Sequence, residues 1–126
     1  MTGLRALLVA VLAAAAAAAI AADGSVQIMV QTSLAAGLSH HDARSVWEHL
    51  RVGERLELVR ETDNPHDPNA VRLDWHGHAL GYIPRTENES VARQLDRGNA
   101  LEARITAIGM HRNHRRKLEV EIYLGM

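Results

Sequence analysis

From residue 27 onward the apolar positions fall mostly at every second residue, the period of strands with one face in a core and the other in water. Ala70 to His76 is the clearest stretch, with Val71, Leu73 and Trp75 on one face and Arg72, Asp74 and His76 on the other. Gln27 to Ser33, Arg55 to Glu61, Ala79 to Pro84, Leu101 to Ile108 and Leu118 to Leu124 complete a set of six predicted strands. Gly77 makes a hairpin turn, and a polar turn spans Asp63 to Asn69. Two segments change to helical spacing. Asp42 is a reasonable N-cap for a helix carrying Val46, Trp47 and Leu50 and stopped by Gly53. Thr86 and Glu89 have the capping-box spacing for a second helix running to about Arg97, with Val91, Ala92 and Leu95 as its stripe and Gly98 at its end. The expected fold class is mostly β with two short α-helices, in one small, partly closed antiparallel barrel, because closure protects strand edges.

The amino terminus breaks this pattern. Arg5, the uncharged run Ala6 to Ile20, and Ala19-Ile20-Ala21 have the charge, apolar stretch and small-x-small ending of a signal peptide. The run is short and Ala-rich for a bilayer span, so the expectation is a cleaved leader over residues 1–22, helical, with no stable span afterwards. The remaining domain, residues 27–126, would then be periplasmic or secreted. An uncleaved leader would instead anchor it by a helix.

Composition narrows the chemistry. The 126 residues hold no cysteine, which excludes disulfides, a thiolate zinc site and a cysteine-linked lipid anchor. The aromatic residues are Trp47, Trp75, Tyr82 and Tyr123, without phenylalanine, so the core rests on Leu, Val, Ile and Ala. The chain has 14 Lys+Arg and 15 Asp+Glu; Arg5 lies in the leader, so the rest carries one cation fewer and a formal charge of −2. Affinity for an anion must come from a local patch. No Walker loop, nucleophile elbow or paired-carboxylate motif is present, which argues against catalysis by this chain.

The most specific motif is the turn Glu61-Thr62-Asp63-Asn64-Pro65-His66-Asp67-Pro68-Asn69-Ala70-Val71, preceded by Leu58-Val59-Arg60 and followed by Gly81-Tyr82-Ile83-Pro84-Arg85. Leu95-Asp96-Arg97-Gly98 and Gly37 stand downstream and upstream of it. In this order the motifs resemble the HIRAN domain family over roughly residues 34–124. The resemblance implies a small barrel related to oligonucleotide-binding and SH3-like folds, usually attached to DNA-remodelling ATPases or nucleases whose activities reside in other domains. In a eukaryotic member the domain grips the free 3′ end of single-stranded DNA. Carried onto this chain, Asp67 would meet the terminal 3′-hydroxyl, Asn64 and His66 would shape the pocket, and Arg85 would lie near a phosphate. Ser39-His40 stand where that member has Arg-Tyr after the glycine, and His66 replaces a tyrosine, which weakens two stacking partners.

Other readings stand beside it. Asn64, Asp67 and Asn69 are ordinary turn residues whose side chains fix a loop by bonding nearby amides, and Glu61 fits a strand-end surface charge. His111-Arg112-Asn113-His114-Arg115-Arg116-Lys117 carries four formal positive charges and no acid, so it could contact nucleic acid, another polyanion such as envelope glycolipid, or simply solvent. Eight histidines, His40-His41 and His76-Gly77-His78 among them, could hold zinc or copper, although no metal-ligand motif frames them. A rival function is an envelope module whose barrel binds a protein or glycan.

Overall fold

The computed structural model describes residues 18–20 and 26–125. Its strands are β1 (Ala18–Ile20), β2 (Val26–Leu34), β3 (Arg55–Arg60), β4 (Val71–Trp75), β5 (His78–Tyr82), β6 (Leu101–Met110) and β7 (Arg116–Gly125). They form one antiparallel sheet in the order β1-β2-β7-β6-β3-β4-β5. The six strands expected from the alternation are all present, and β1 is added to them: Ala18–Ile20, expected to belong to a helical leader, pairs along Val26–Ile28 instead. Residues 1–17, 21 and 22 of the expected leader lie outside the described residues.

The sheet curls until its last strand meets the chain that leaves β2. Ala36 and Tyr82 form an antiparallel bridge, Ala36 N–H donating to the Tyr82 carbonyl at 2.8 Å and Tyr82 N–H to the Ala36 carbonyl at 2.9 Å. Gly81 permits the approach. A Cβ at Gly81 would lie 2.4 Å from the Ala36 carbonyl oxygen, a backbone atom that cannot move without breaking the bridge. Gly37, at φ 71, then turns the chain sharply away through a region that side-chain-bearing residues seldom occupy.

The barrel interior is filled as the period-2 pattern predicts. Val71 and Leu73 of β4, Leu80 of β5, Ile105 of β6 and Leu118, Val120 and Ile122 of β7 are all essentially inaccessible. Helix α1 (Ala43–Val46) and a 3-10 turn (Trp47–His49) replace the longer helix expected up to Gly53. Tightening the chain at Trp47 carries Leu50 into extended backbone and into the core. Helix α2 (Glu89–Asp96) buries Val91 and Ala92, and the Asp96 carboxylate takes Arg60 of β3 at 3.1 Å, which pins the helix to the barrel wall.

The capping box expected at Thr86 and Glu89 does not form. Pro84 starts a 3-10 turn over Arg85–Glu87, closed by Glu87 N–H on the Pro84 carbonyl at 2.9 Å, so Thr86 lies inside that turn. Asn88 becomes the N-cap, and its side chain makes no cap hydrogen bond.

Closure over Gly81 gives a direct test. Gly81→Ala is expected to lower stability by about 1–3 kcal/mol, the usual range for forcing a methyl into a packed site, as measured by urea unfolding. Gly109→Ala, whose added methyl meets nothing within 4 Å, should leave the midpoint close to that of the parent.

Candidate functional site

The turn joining β3 to β4 is built by its own side chains. Glu61 N–H bonds the Ala70 carbonyl at 3.0 Å and continues the β3–β4 ladder by one step before the chain leaves the sheet. Asn64 Oδ1 then accepts the amides of His66 and Asp67 at 2.9 and 3.1 Å, an Asx-type arrangement that bends the loop. Asn64 Nδ2 donates to Glu61 Oε1 at 3.0 Å. With both ends of its amide committed, Asn64 shapes the pocket through the backbone.

Glu61 is no surface charge. Its carboxylate accepts the Tyr82 hydroxyl at 2.7 Å, Asn64 Nδ2, and Arg72 Nη1 at 2.8 Å. Arg72 in turn grips Asp74 with two bonds, at 2.7 and 2.9 Å, and burial of Asp74 becomes tolerable because a charged partner meets both oxygens. Burial pushes the Glu61 carboxyl up, but the bonds from Tyr82, Asn64 and Arg72 outweigh it and hold the group below its ordinary value. Burial first, and then the bond to Glu61, pushes the Tyr82 phenol up to about 12.

Asp67 is treated differently. Its Oδ1 accepts Asn69 N–H at 2.9 Å, and its Oδ2 accepts Asn88 Nδ2 at 2.7 Å. Asn88 is 1% exposed, so its side-chain amide has no water to turn to and must keep this partner. An ionised carboxylate offers about four acceptor positions. One bond per oxygen therefore leaves capacity on both, and Asp67 remains half-exposed.

What the spare capacity faces is a groove of about 370 Å³. Asn64, His66 and Asp67 line it from the turn, Tyr82 and Arg85 from the end of β5, and Gly37 and His41 from the segment after β2. The His41 ring packs on Tyr82 with centroids 5.2 Å apart. His66 and Arg85 are exposed, and Arg85 enters no ion pair among the described residues. Four residues named from the sequence (Asn64, His66, Asp67 and Arg85) thus converge on one hollow.

The remaining ones divide. Ser39 lines a second hollow of about 420 Å³ with Arg115 and Arg116 from the β6–β7 tip, whereas Arg112 lines a third with Arg115 at the outer side of the tip. His40 and Lys117 line none of these three. His76 lies 3.8 Å from Glu54 and His78 3.5 Å from Asp42, each on its own carboxylate, and among the described residues no three His, Asp or Glu side chains are grouped as metal ligands would be. A larger concavity of about 780 Å³, between β3 and β6, contains none of the residues expected to bind nucleic acid, and of the histidines proposed for metal only His76. Its charges are largely answered locally, Arg55 by Glu102 and Asp74 by Arg72.

Tyr82, Asn88, His41 and Arg72 carry weight that reading the sequence did not assign to them. Asn88 had a weak signal, a polar residue beside an apparent cap. Tyr82 and His41 act through partners distant in the chain, whereas Arg72 joins a distant acid, Glu61, to Asp74 two residues along its own strand.

Comparison with known proteins agrees with this fold. The sequence profile described as HIRAN domain matches residues 28–125. A crystal structure of a protein from Lactobacillus plantarum is similar at 28% identity and a TM-score of 0.70, covering 78% of this chain and 94% of that one. The crystal structure of the HIRAN domain of human HLTF superposes with a TM-score of 0.62 at 16% identity, over 75% of this chain and 74% of that one, which is a likeness of fold. No curated protein sequence matches the chain.

The sign of the Tyr82 shift makes a prediction. The folded protein favours the neutral phenol, so this contribution is intact below the unfolded value near 10 and is lost as pH rises through about 12. Tyr82→Phe should shrink that alkaline loss in pH-dependent unfolding. At neutral pH it should cost about 1–2 kcal/mol, because Glu61 Oε1 loses a donor. Tyr123, also shifted up, leaves a residual alkaline loss in the variant.

Proposed function

The chain belongs to the HIRAN domain family, and from that premise we propose that it is a binding module for single-stranded nucleic acid that takes a free 3′-hydroxyl end beside Asp67. The observation that carries the reading is the Asp67 carboxylate itself. It is held rigid by Asn69 and Asn88, keeps acceptor capacity on both oxygens, and lines an open groove that Arg85, which enters no ion pair among the described residues, also lines.

The chemistry follows from charge and hydrogen-bond type. An ionised carboxylate only accepts, so a terminal hydroxyl can donate to it while a terminal phosphate is repelled. Arg85 offers a fork of donors suited to the phosphate oxygens one step along the strand. His66 and His41 place imidazole rings at the groove wall, where a base can stack on less area than tyrosine or tryptophan would give. Affinity per base should accordingly be modest, with the end group setting the preference. No step of catalysis is assigned to the chain.

The Ala-rich leader supports export of this module, and a mass measurement on the native amino terminus would show whether residues 1–22 are removed; an intact Met1 terminus would discard the cleavage.

Fluorescence anisotropy with labelled oligonucleotides tests the end preference. A 3′-hydroxyl strand should bind at least about tenfold more tightly than the same strand with a 3′-phosphate, as expected for a carboxylate meeting a like charge. In Asp67→Asn, which removes the charge but keeps the shape, most of that discrimination should vanish. Equal binding of both ends by the parent protein would refute the role of Asp67.

A further inference from the structure

The groove beside Asp67 does not end blindly. Gly37 lines it on one side and lines the 420 Å³ hollow on the other, so the two are neighbours separated by a residue that has no side chain. The far wall of the second hollow is the β6–β7 tip. Residues 111–117 contain no acid, and neither Arg115 nor Arg116 enters an ion pair among the described residues.

The tip has a definite shape. His111 N–H bonds the Arg115 carbonyl at 2.8 Å, Asn113 Oδ1 accepts Arg115 N–H at 3.2 Å, and His114 sits at φ 63, so the loop doubles back tightly. The Arg116 guanidinium lies 5.7 Å from the centre of the Trp47 ring, a cation–π contact that directs it without neutralising its charge. Ser39, from the 3-10 turn after Gly37, adds a hydroxyl to the opposite wall.

We infer that the hollow between Ser39 and the β6–β7 tip is a second phosphate subsite, which receives the backbone of a strand whose 3′ end lies beside Asp67 and which crosses over Gly37. The inference rests on the reading of the Asp67 groove and adds a direction to it: the strand runs from the turn, over Gly37, towards Arg115 and Arg116, with its 5′ side at the tip. Arg-rich geometry with no acid nearby suits phosphate oxygens rather than base edges, so this subsite raises affinity without reading sequence.

The test is a length series of 3′-hydroxyl oligothymidylates, from a dinucleotide up to about 16 nucleotides, the upper end of the site size of such folds. The parent protein should bind longer strands more tightly than the dinucleotide. Arg115→Ala and the double variant R115A/R116A should leave dinucleotide binding unchanged but lose roughly three- to tenfold on the long strands. Their salt dependence should flatten by about 0.7 per lost phosphate contact. Arg115→Ala is the safer variant, since Arg116 also packs on Trp47. If both variants match the parent at every length while Asp67→Asn still abolishes end discrimination, the second subsite is refuted and the Asp67 reading stands. If the parent protein binds no length at all, both fall. A tip that bound anionic lipid vesicles, with oligonucleotide binding of all lengths untouched by the variants, would also overturn the inference.

Discussion

Everything in the site is positioned by one short closure, the paired hydrogen bonds between Ala36 and Tyr82. They turn an open sheet into a barrel, because β5 would otherwise be an edge with unpaired amides and carbonyls. They also bring the segment after β2 beside the β3–β4 turn, elements that share no other ladder. Gly81 is the condition for this approach, since any larger residue would push against a carbonyl oxygen. The Tyr82 side chain then continues the same contact outward, its hydroxyl on Glu61 and its ring against His41. Barrel closure and groove formation are therefore one event.

The turn shows how two carboxylates a few residues apart come to different uses. Glu61 takes three donors, from Tyr82, Asn64 and Arg72, one of them a guanidinium, and its work is to hold β3, β4 and β5 together. Asp67 receives only Asn69 and Asn88. Asn88 reaches it from the start of α2, and because that amide is buried, its bond locks the carboxylate's orientation from behind. A rigid acceptor with unused lone pairs at an open surface is preorganised for a donor. The identity of the domain is thus written less in which residues are polar than in which of them are left incompletely engaged.

That distinction also marks where the sequence was informative. Alternation placed β4 and β7 correctly because burial in a strand follows a period of two whatever the rest of the chain does. The turn brought Asn64, His66 and Asp67 together for a similar reason, being local, while Arg85, beyond β5, was named only through the family resemblance. Glu61, Asp74 and Asn88 were misread or passed over because a buried polar residue is decided by a partner: Tyr82 for Glu61 and Asp67 for Asn88, each 21 residues away. Asp74 took the outer face of β4 as the alternation required, yet Arg72 covers it, and a solvated face became a network. The capping box at Thr86 failed through competition, Pro84 having already committed Arg85–Glu87 to a tighter turn.

Net charge bears on which ligand end can dock. The whole chain is slightly acidic, with a formal charge of −1, so its general field offers nothing to an anion. On the barrel wall Arg55, Arg60, Arg72 and Arg104 are each tied to an acid. Among the described residues Arg44 and Arg97 enter no ion pair and line none of the hollows described, whereas Arg85, Arg115 and Arg116 enter none either and do line them. A groove with cations along its length and a lone carboxylate at one end is poorly designed for a free anion, which would meet repulsion there. It is well matched to a chain that is anionic along its backbone and neutral at its tip. The polymer of the proposed function, anionic along its backbone and ending in a hydroxyl, is consistent with both halves of that field.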